Sequence, residues 1–285
     1  MAARSVAPRR SAATESKKQR DSGGSLLRFV LAVAIVAWVF RSLIIAPFNI
    51  PSGSMLPALY IGDYIAVAKW PYGYSRYSFP FGFPHLDGRI LANLPKRGDV
   101  VVFRHPTEDA DLIKRVIGLP GDTVELRGGR LVLNGRMVQR QPLPPANIAV
   151  SVNSPCTAVP PGTPMVAQAR GKPFCVYRAF LETLPGGPSY TTIDQVDDGP
   201  VDNFAPVRVP AKHLFLMGDN RDDSLDSRYP VFQGGIGMVP TDNLIGRAEL
   251  TFWSTDGSVS YLKPWTWFSA LRSDRVGNGY TRDRE

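Results

Sequence analysis

The segment Leu26–Phe48, LLRFVLAVAIVAWVFRSLIIAPF, restricts the fold of this chain more than any other stretch. A helix that crosses the hydrocarbon of a bilayer needs roughly 20 predominantly apolar residues, and this run reaches that length by tolerating Arg28 and Arg41. Both arginines lie toward the ends, where a long aliphatic stem lets the charged head reach the lipid head groups. The uninterrupted apolar core, Phe29 to Phe40, is also short enough for a cleaved secretory signal. No small-x-small cleavage pattern follows it promptly, and Pro47 and Pro51 follow instead, so residues 26–47 read as one retained transmembrane anchor.

Charge orients that anchor. Residues 1–25 hold Arg4, Arg9, Arg10, Lys17, Lys18 and Arg20 against Glu15 and Asp21, which is half of the net charge of +8. The tail has no aromatic side chain to stack on bases, so a basic, disordered arm beside a membrane fits better than a nucleic-acid contact. Basic segments stay cytoplasmic, which puts everything after Phe48 on the external side. Two thiols in an oxidising compartment, Cys156 and Cys175, read as a disulfide. Two unrelated buried thiols are the alternative. No C-x-x-C or His/Cys ligand spacing points to a metal.

Beyond the anchor the chain reads as β. Strand candidates are DYIAVAKW after Gly62, GDVVVFRHP, and HLFLMGDN and LIGRAELTFW near the end. DLIKRVIGLPGDTVELRGGRLVLNGRMV reads as four strands broken by Pro-Gly-Asp, Gly-Gly and Asn-Gly turns. Helical periodicity is confined to Met55–Tyr60 at most. The expectation is a mainly β, antiparallel domain over 48–140 and 206–265, with a smaller, Pro-rich β subdomain inserted at 141–205 around the cysteine pair. Residues 266–285 form a C-terminal tail. The aromatic loop over 70–86 could dip into the bilayer interface or fold over the core.

Chemistry concentrates in PSGSM. A serine in a Gly-containing turn can offer its hydroxyl and its N–H to one substrate atom, but the hydroxyl needs a base within reach. His85, His105 and His213 lie in no nucleophile signature and read as loop or surface residues. Ser260-Tyr-Leu-Lys263 is an isolated S-x-x-K string without partner motifs, followed by Pro264. Lys114 is the better base. It shares a strand face with Leu112 and Val116, while Arg115 shares the other with Ile113 and Ile117, so periodicity does not choose between the two cations. Chemistry does: burial can make a lysine neutral, and arginine stays protonated.

PSGSMLPAL, GDVVVF, KRVIGLPGD and GDNRDDSLDSR together resemble, in order, the segments of bacterial type I signal peptidases, the Ser-Lys leader peptidases. The resemblance covers roughly Phe40 to Val132 and Val207 to Leu250, leaving the insertion and the tail outside. It implies that Ser54 is the nucleophile, Lys114 the general base, and Ser52 the oxyanion donor beside the Ser54 N–H. Ser224 would orient the lysine, with Asp226 and Arg228 as a supporting ion pair. Phe48, Ile50, Leu59, Ile65, Val102 and Ile113 would line pockets for small residues. Asp223 departs from relatives that carry Asn there, and some relatives span the membrane twice.

The expected function is a membrane-anchored serine endopeptidase, with no cofactor, that removes signal peptides after a small-x-small motif. Its partners would be preprotein signal peptides and membrane lipid, not nucleic acid. Its place would be the bacterial inner membrane, single-pass, with the catalytic domain periplasmic. Oligomeric state is not legible. The alternatives are a Ser-Lys peptidase dedicated to one secretion or conjugation substrate, and a non-catalytic envelope-binding domain.

Overall fold

A computed structural model describes residues 13–156, 166–169, 171–260, 262–263 and 265–281. The N-terminal helix runs Ala13–Leu43. Glu, Lys, Gln and Arg before the apolar run are good helix formers, and they carry the helix back into the basic tail. The first twelve residues of that tail, expected to be disordered, lie outside the described residues. Gly24–Leu43 is long and apolar enough to cross a membrane, with a mean hydropathy of 2.0, and only 6% of that stretch is buried against the rest of the protein.

The helix stops short of the expected end at residue 47. Ile45–Asn49 forms an edge strand pairing antiparallel with Asp63–Ala68. Pro47 has no N–H for a helix or a central ladder, and an edge strand accommodates it. This strand ties the helix to a seven-stranded antiparallel sheet. Its order is Ile45–Asn49, Asp63–Ala68, Leu244–Ser254, Val100–Arg104, Asp111–Gly118, His213–Met217 and Val239–Pro240. Asp111–Gly118 is central and covered on both faces. One apolar cluster gathers Ile50, Met55, Leu59, Ile65, Val102 and Ile113; another, on the opposite face, gathers Val101, Phe103, Val116, Leu214 and Leu216.

Two four-stranded sheets and a two-stranded pairing of Tyr74–Ser75 with Arg89–Ile90 complete the β architecture among the described residues. Thr123–Arg127, Arg130–Leu133 and Arg136–Met137 form a meander joined by Phe204–Arg208. Asn134 and Gly135 both take positive φ (53° and 75°), as a two-residue hairpin turn matching strand twist requires. The other sheet holds Gln139–Ala149, Lys172–Thr183, Val166–Ala169 and Ser189–Ile193. Cys156 and Cys175 are joined by a disulfide beside it, with Cα atoms 5.5 Å apart.

Three local expectations change. Met55–Tyr60 is a series of turns, not a helix, closed by a single Leu59 N–H to Met55 O bond. The aromatic loop is split between its two readings: Tyr72 is buried and donates to Asp99, whereas Phe81 is fully exposed. Residues 266–281, the described part of the expected tail, are packed against the domain. Arg275 pairs with the buried Asp63 at 2.6 Å, and Gly279 bridges Leu250, because an unpaired Asp63 carboxylate would be costly there.

Candidate active site

Ser54 sits in the turn that leaves the edge strand, and Lys114 projects from the central strand 60 positions later; Lys114 Nζ lies 2.7 Å from Ser54 Oγ. The amine also donates to the Ile113 carbonyl at 3.2 Å. Lys114 is 5% exposed and Ser54 7%, so the pair is buried. Burial pushes the amine down from its ordinary 10.5 to about 8, against the opposing pull of Asp226, Asp219 and Asp223. At pH 7 a group of that pKa is neutral in about one molecule in ten, against roughly one in 2,500 for a free lysine.

Arg115 resolves the ambiguity that periodicity left. It is equally buried, but its guanidinium is held bidentate by Asp219 at 2.7 and 2.6 Å, lies over the Tyr190 ring, and donates to Gly98 O. It is a structural cation turned away from the serine.

The Ser54 turn is clamped by the loop after His213–Met217. Asn220 donates its backbone N–H to Ser54 O at 3.1 Å and its side-chain amide to Gly53 O at 3.1 Å. Gly218 permits that approach: a Cβ there would lie 2.5 Å from Ser54 O and 2.3 Å from Ser224 Oγ. The inserted sheet grips the same loop from behind. Ile193 N–H donates to Asp219 O, Arg221 N–H donates to Ile193 O, and the Arg221 guanidinium pairs with the buried Glu182.

The other named residues divide. Asp226 and Arg228 form a buried pair at 2.8 Å. Burial pushes the Asp226 carboxyl up, but the Arg228 charge and hydrogen bonds from Arg228 and Gly218 N–H outweigh it and hold it below the usual range. Ser52 Oγ lies 3.5 Å from Ser54 Oγ. Ser224 is buried in the cleft wall, but its hydroxyl has no partner among the described residues. The expected bond to Lys114 is not formed: the amine's hydrogen bonds go to Ser54 and Ile113. Phe48, Ile50, Ile65, Val102 and Ile113 line a cavity of about 40 Å³ that also touches Ser52, Ser54 and Lys114. Leu59 does not reach it; fully buried, it packs in the cluster behind.

His105 departs from expectation too. It is buried and lines the cleft, with its Nδ1 accepting the backbone N–H of Glu108 at 3.0 Å. That bond orients the ring within its own loop, and no hydrogen bond joins it to Ser54. In the S-x-x-K string the Lys263 N–H donates to Ser260 O, and neither residue lines the cleft with Ser54. Asn220, Asp219 and Glu182 were not singled out from sequence. The GDN run around Asp219 and Asn220 was the available signal; Glu182 carried none.

A larger cavity of about 530 Å³ lies elsewhere, lined by Pro57, Arg115, Tyr190, Arg275 and Tyr280. Both of its arginines are neutralised by aspartates, so size does not mark the reactive centre. Among the described residues no cluster of His, Cys, Asp and Glu could hold a metal.

Comparison with known proteins agrees on the family. The profile of "Signal peptidase, peptidase S26" matches residues 24–253. Signal peptidase I of Rickettsia typhi (strain ATCC VR-144 / Wilmington) is 34% identical over 283 residues, covering 92% of this chain and 95% of its own. That of Rickettsia canadensis (strain McKiel) is 34% identical over 264 residues, covering 86% and 88%. A solved signal peptidase I from Enterococcus faecalis V583 aligns at 24% identity over 54% of this chain and 97% of its own, with a TM-score of 0.27, too low to support any argument. The chain is a hydrolase of the serine endopeptidase type and belongs to the signal peptidase, peptidase S26, family.

Proposed function

We propose that this chain is a membrane-anchored signal peptidase that uses Ser54 as nucleophile and Lys114 as general base. The observation that carries this reading is the buried 2.7 Å contact between Lys114 Nζ and Ser54 Oγ. A neutral amine at that distance accepts the Ser54 proton as Oγ attacks the scissile carbonyl. The oxygen that becomes negative is received by the Ser52 hydroxyl and the Ser54 N–H, which has no acceptor among the described hydrogen bonds. The Lys114 ammonium then protonates the departing amine. A water, deprotonated by the same lysine, hydrolyses the acyl-enzyme and regenerates Ser54.

The small cavity supports a preference for small side chains before the cut. About 40 Å³ lined by Phe48, Ile50, Ile65, Val102 and Ile113 suits a methyl and excludes an aromatic ring. Such a substrate is the small-x-small end of a secretory signal. Preprotein cleavage by purified wild type, Ser54→Ala and Lys114→Met tests the pair. The wild type is expected to cut, and both variants to lose at least about 10³-fold in kcat/KM. A variant that keeps most of its rate would remove that residue from the mechanism.

The apolar helix supports anchoring. Its side chains from Leu26 to Phe40 are largely exposed and have no protein surface to cover them, which lipid supplies. The basic residues before it support a cytoplasmic N-terminus. Protease added to spheroplasts is expected to digest the Ser54 domain and leave a fragment containing the helix. Protection of that domain would reverse the orientation.

A further inference from the structure

The cleft has two unlike halves that meet at Ser54. The half with Phe48, Ile50, Ile65, Val102 and Ile113 is small and apolar, and its one carboxylate, Asp111, is paired with Arg104 at 2.9 Å. The opposite half is a cavity of about 460 Å³ that carries Glu108, Asp222 and Asp223 together with His105, Lys114 and Ser224. Among the described residues none of these three carboxylates is in an ion pair. Asp222 accepts the N–H groups of Gln195 and Val196, at 2.6 and 3.1 Å. Glu108 and Asp223 are exposed and accept no hydrogen bond from any described residue. Among the described residues Lys114 is the one lysine or arginine of the cavity wall, and it must lose its charge to act.

A second observation marks this half as one that receives a ligand. The Ser224 hydroxyl, 4% exposed, lines the same cavity and has no partner. A buried hydroxyl without a partner is unfavourable until something supplies one.

Given Ser54 as the nucleophile, the polarity of the two halves orients the substrate. The apolar half takes the small residues before the scissile bond, so the chain beyond the bond leaves through the acidic half. We propose that Glu108, Asp222 and Asp223 form the subsite for the first residues of the mature protein, and that it favours basic and disfavours acidic side chains there. Asp223 is the central member. It also rims an adjoining cavity of about 220 Å³ walled by Leu56, Ile148, Cys175 and Tyr177. A Lys or Arg could lay its aliphatic stem on those walls with its charge at the Asp223 carboxylate.

The test uses the full-length protein in detergent and three preprotein peptides. They are identical up to the cut and differ only in carrying Lys, Gln or Glu at the second and third mature positions. The wild type is expected to rank them Lys, Gln, Glu in kcat/KM. The Lys-to-Glu ratio should be about tenfold at low salt, carried mainly by KM, and should shrink toward one in 1 M salt as the charges are screened. In Asp223→Lys combined with Glu108→Gln the order should invert. The ratio is internal to each enzyme, so a general loss of rate in the variant does not obscure it. The wild-type salt series stands even if that variant does not fold. Equal cleavage of all three peptides by wild type, or a ratio that salt leaves unchanged, overturns the subsite and leaves the Ser54 reading intact. Cleavage of none of them overturns both.

Discussion

Lys114 and Lys69 invite comparison. Both are buried, at 5% and 4% exposure, and burial pushes both amines down to about 8. Both make a 2.7 Å hydrogen bond, Lys114 to Ser54 Oγ and Lys69 to the Ser78 carbonyl. Their burial and lowered basicity are therefore alike, yet their partners differ in kind. A carbonyl only accepts, so Lys69 gains nothing by becoming neutral beyond relief from desolvation. A hydroxyl can also give up its proton, so a neutral Lys114 has a proton to receive. A depressed lysine marks a candidate base, and the group it faces decides whether it is one.

The widest expected gap between the two is in turnover. Lys114→Met should lose at least about 10³-fold in preprotein cleavage, while Lys69→Met should stay within about tenfold of wild type. Equal losses would mean that the two sites cooperate and would break the contrast. A smaller effect concerns pH. If neutral Lys114 is the base, kcat/KM should rise about tenfold from pH 7 to pH 9, following an apparent pKa near 8. Lys69→Met should leave that profile in place. A flat profile in wild type would take Lys114 out of the role.

The smallest difference lies in stability. The folded-state pKa of Lys114 is below its value in the unfolded chain, so between about 8 and 10.5 the unfolded state binds more protons and stability rises with pH. Below about pH 8 the buried ammonium carries the full penalty, on the order of 3 kcal/mol for this depression. Removing it in Lys114→Met strands hydrogen-bond partners at about 1–3 kcal/mol. A net gain of about 1 kcal/mol is expected at pH 7, shrinking toward pH 10. Lys69→Met should follow the same pH trend, with the Ser78 carbonyl losing its donor as Ser54 Oγ and Ile113 O do in Lys114→Met. Denaturant midpoints at pH 7 and pH 10 measure both, and a gain that grows with pH would contradict burial as the cause.

How legible each part was follows from how local its physics is. The strand–turn series from Asp111 to Met137 is written in alternation and in Pro-Gly-Asp, Gly-Gly and Asn-Gly turns, and the strands form where that text places them. The apolar helix is legible for the same reason, although its end is not. Pro47 told against helix, but only pairing with Asp63–Ala68 made Ile45–Asn49 a strand. Leu59 shows the limit in the site. Its apolar character is the same whether it lines a pocket or fills the core behind one, and only the packing of Met55, Ile65 and Val67 around it decides. His105 and Asn220 are likewise short-range silent: one became buried, the other reached Gly53, through contacts between distant segments.

Taken alone, the amino-acid order determined what lies within a few residues: a long apolar helix with a basic approach, antiparallel strands set off by turns, and a Ser-Gly-Ser turn that brings two hydroxyls close together. It also determined that, of the neighbours Lys114 and Arg115, only the lysine could become a neutral base. The tertiary structure decided which lysine meets the serine, that Arg115 is consumed by Asp219, that Ser224 stays unpaired, and that one half of the cleft is acidic. Desolvation and charge pairing depend on every element packed around a group, and those elements come from parts of the chain as far apart as Asp63 and Arg275.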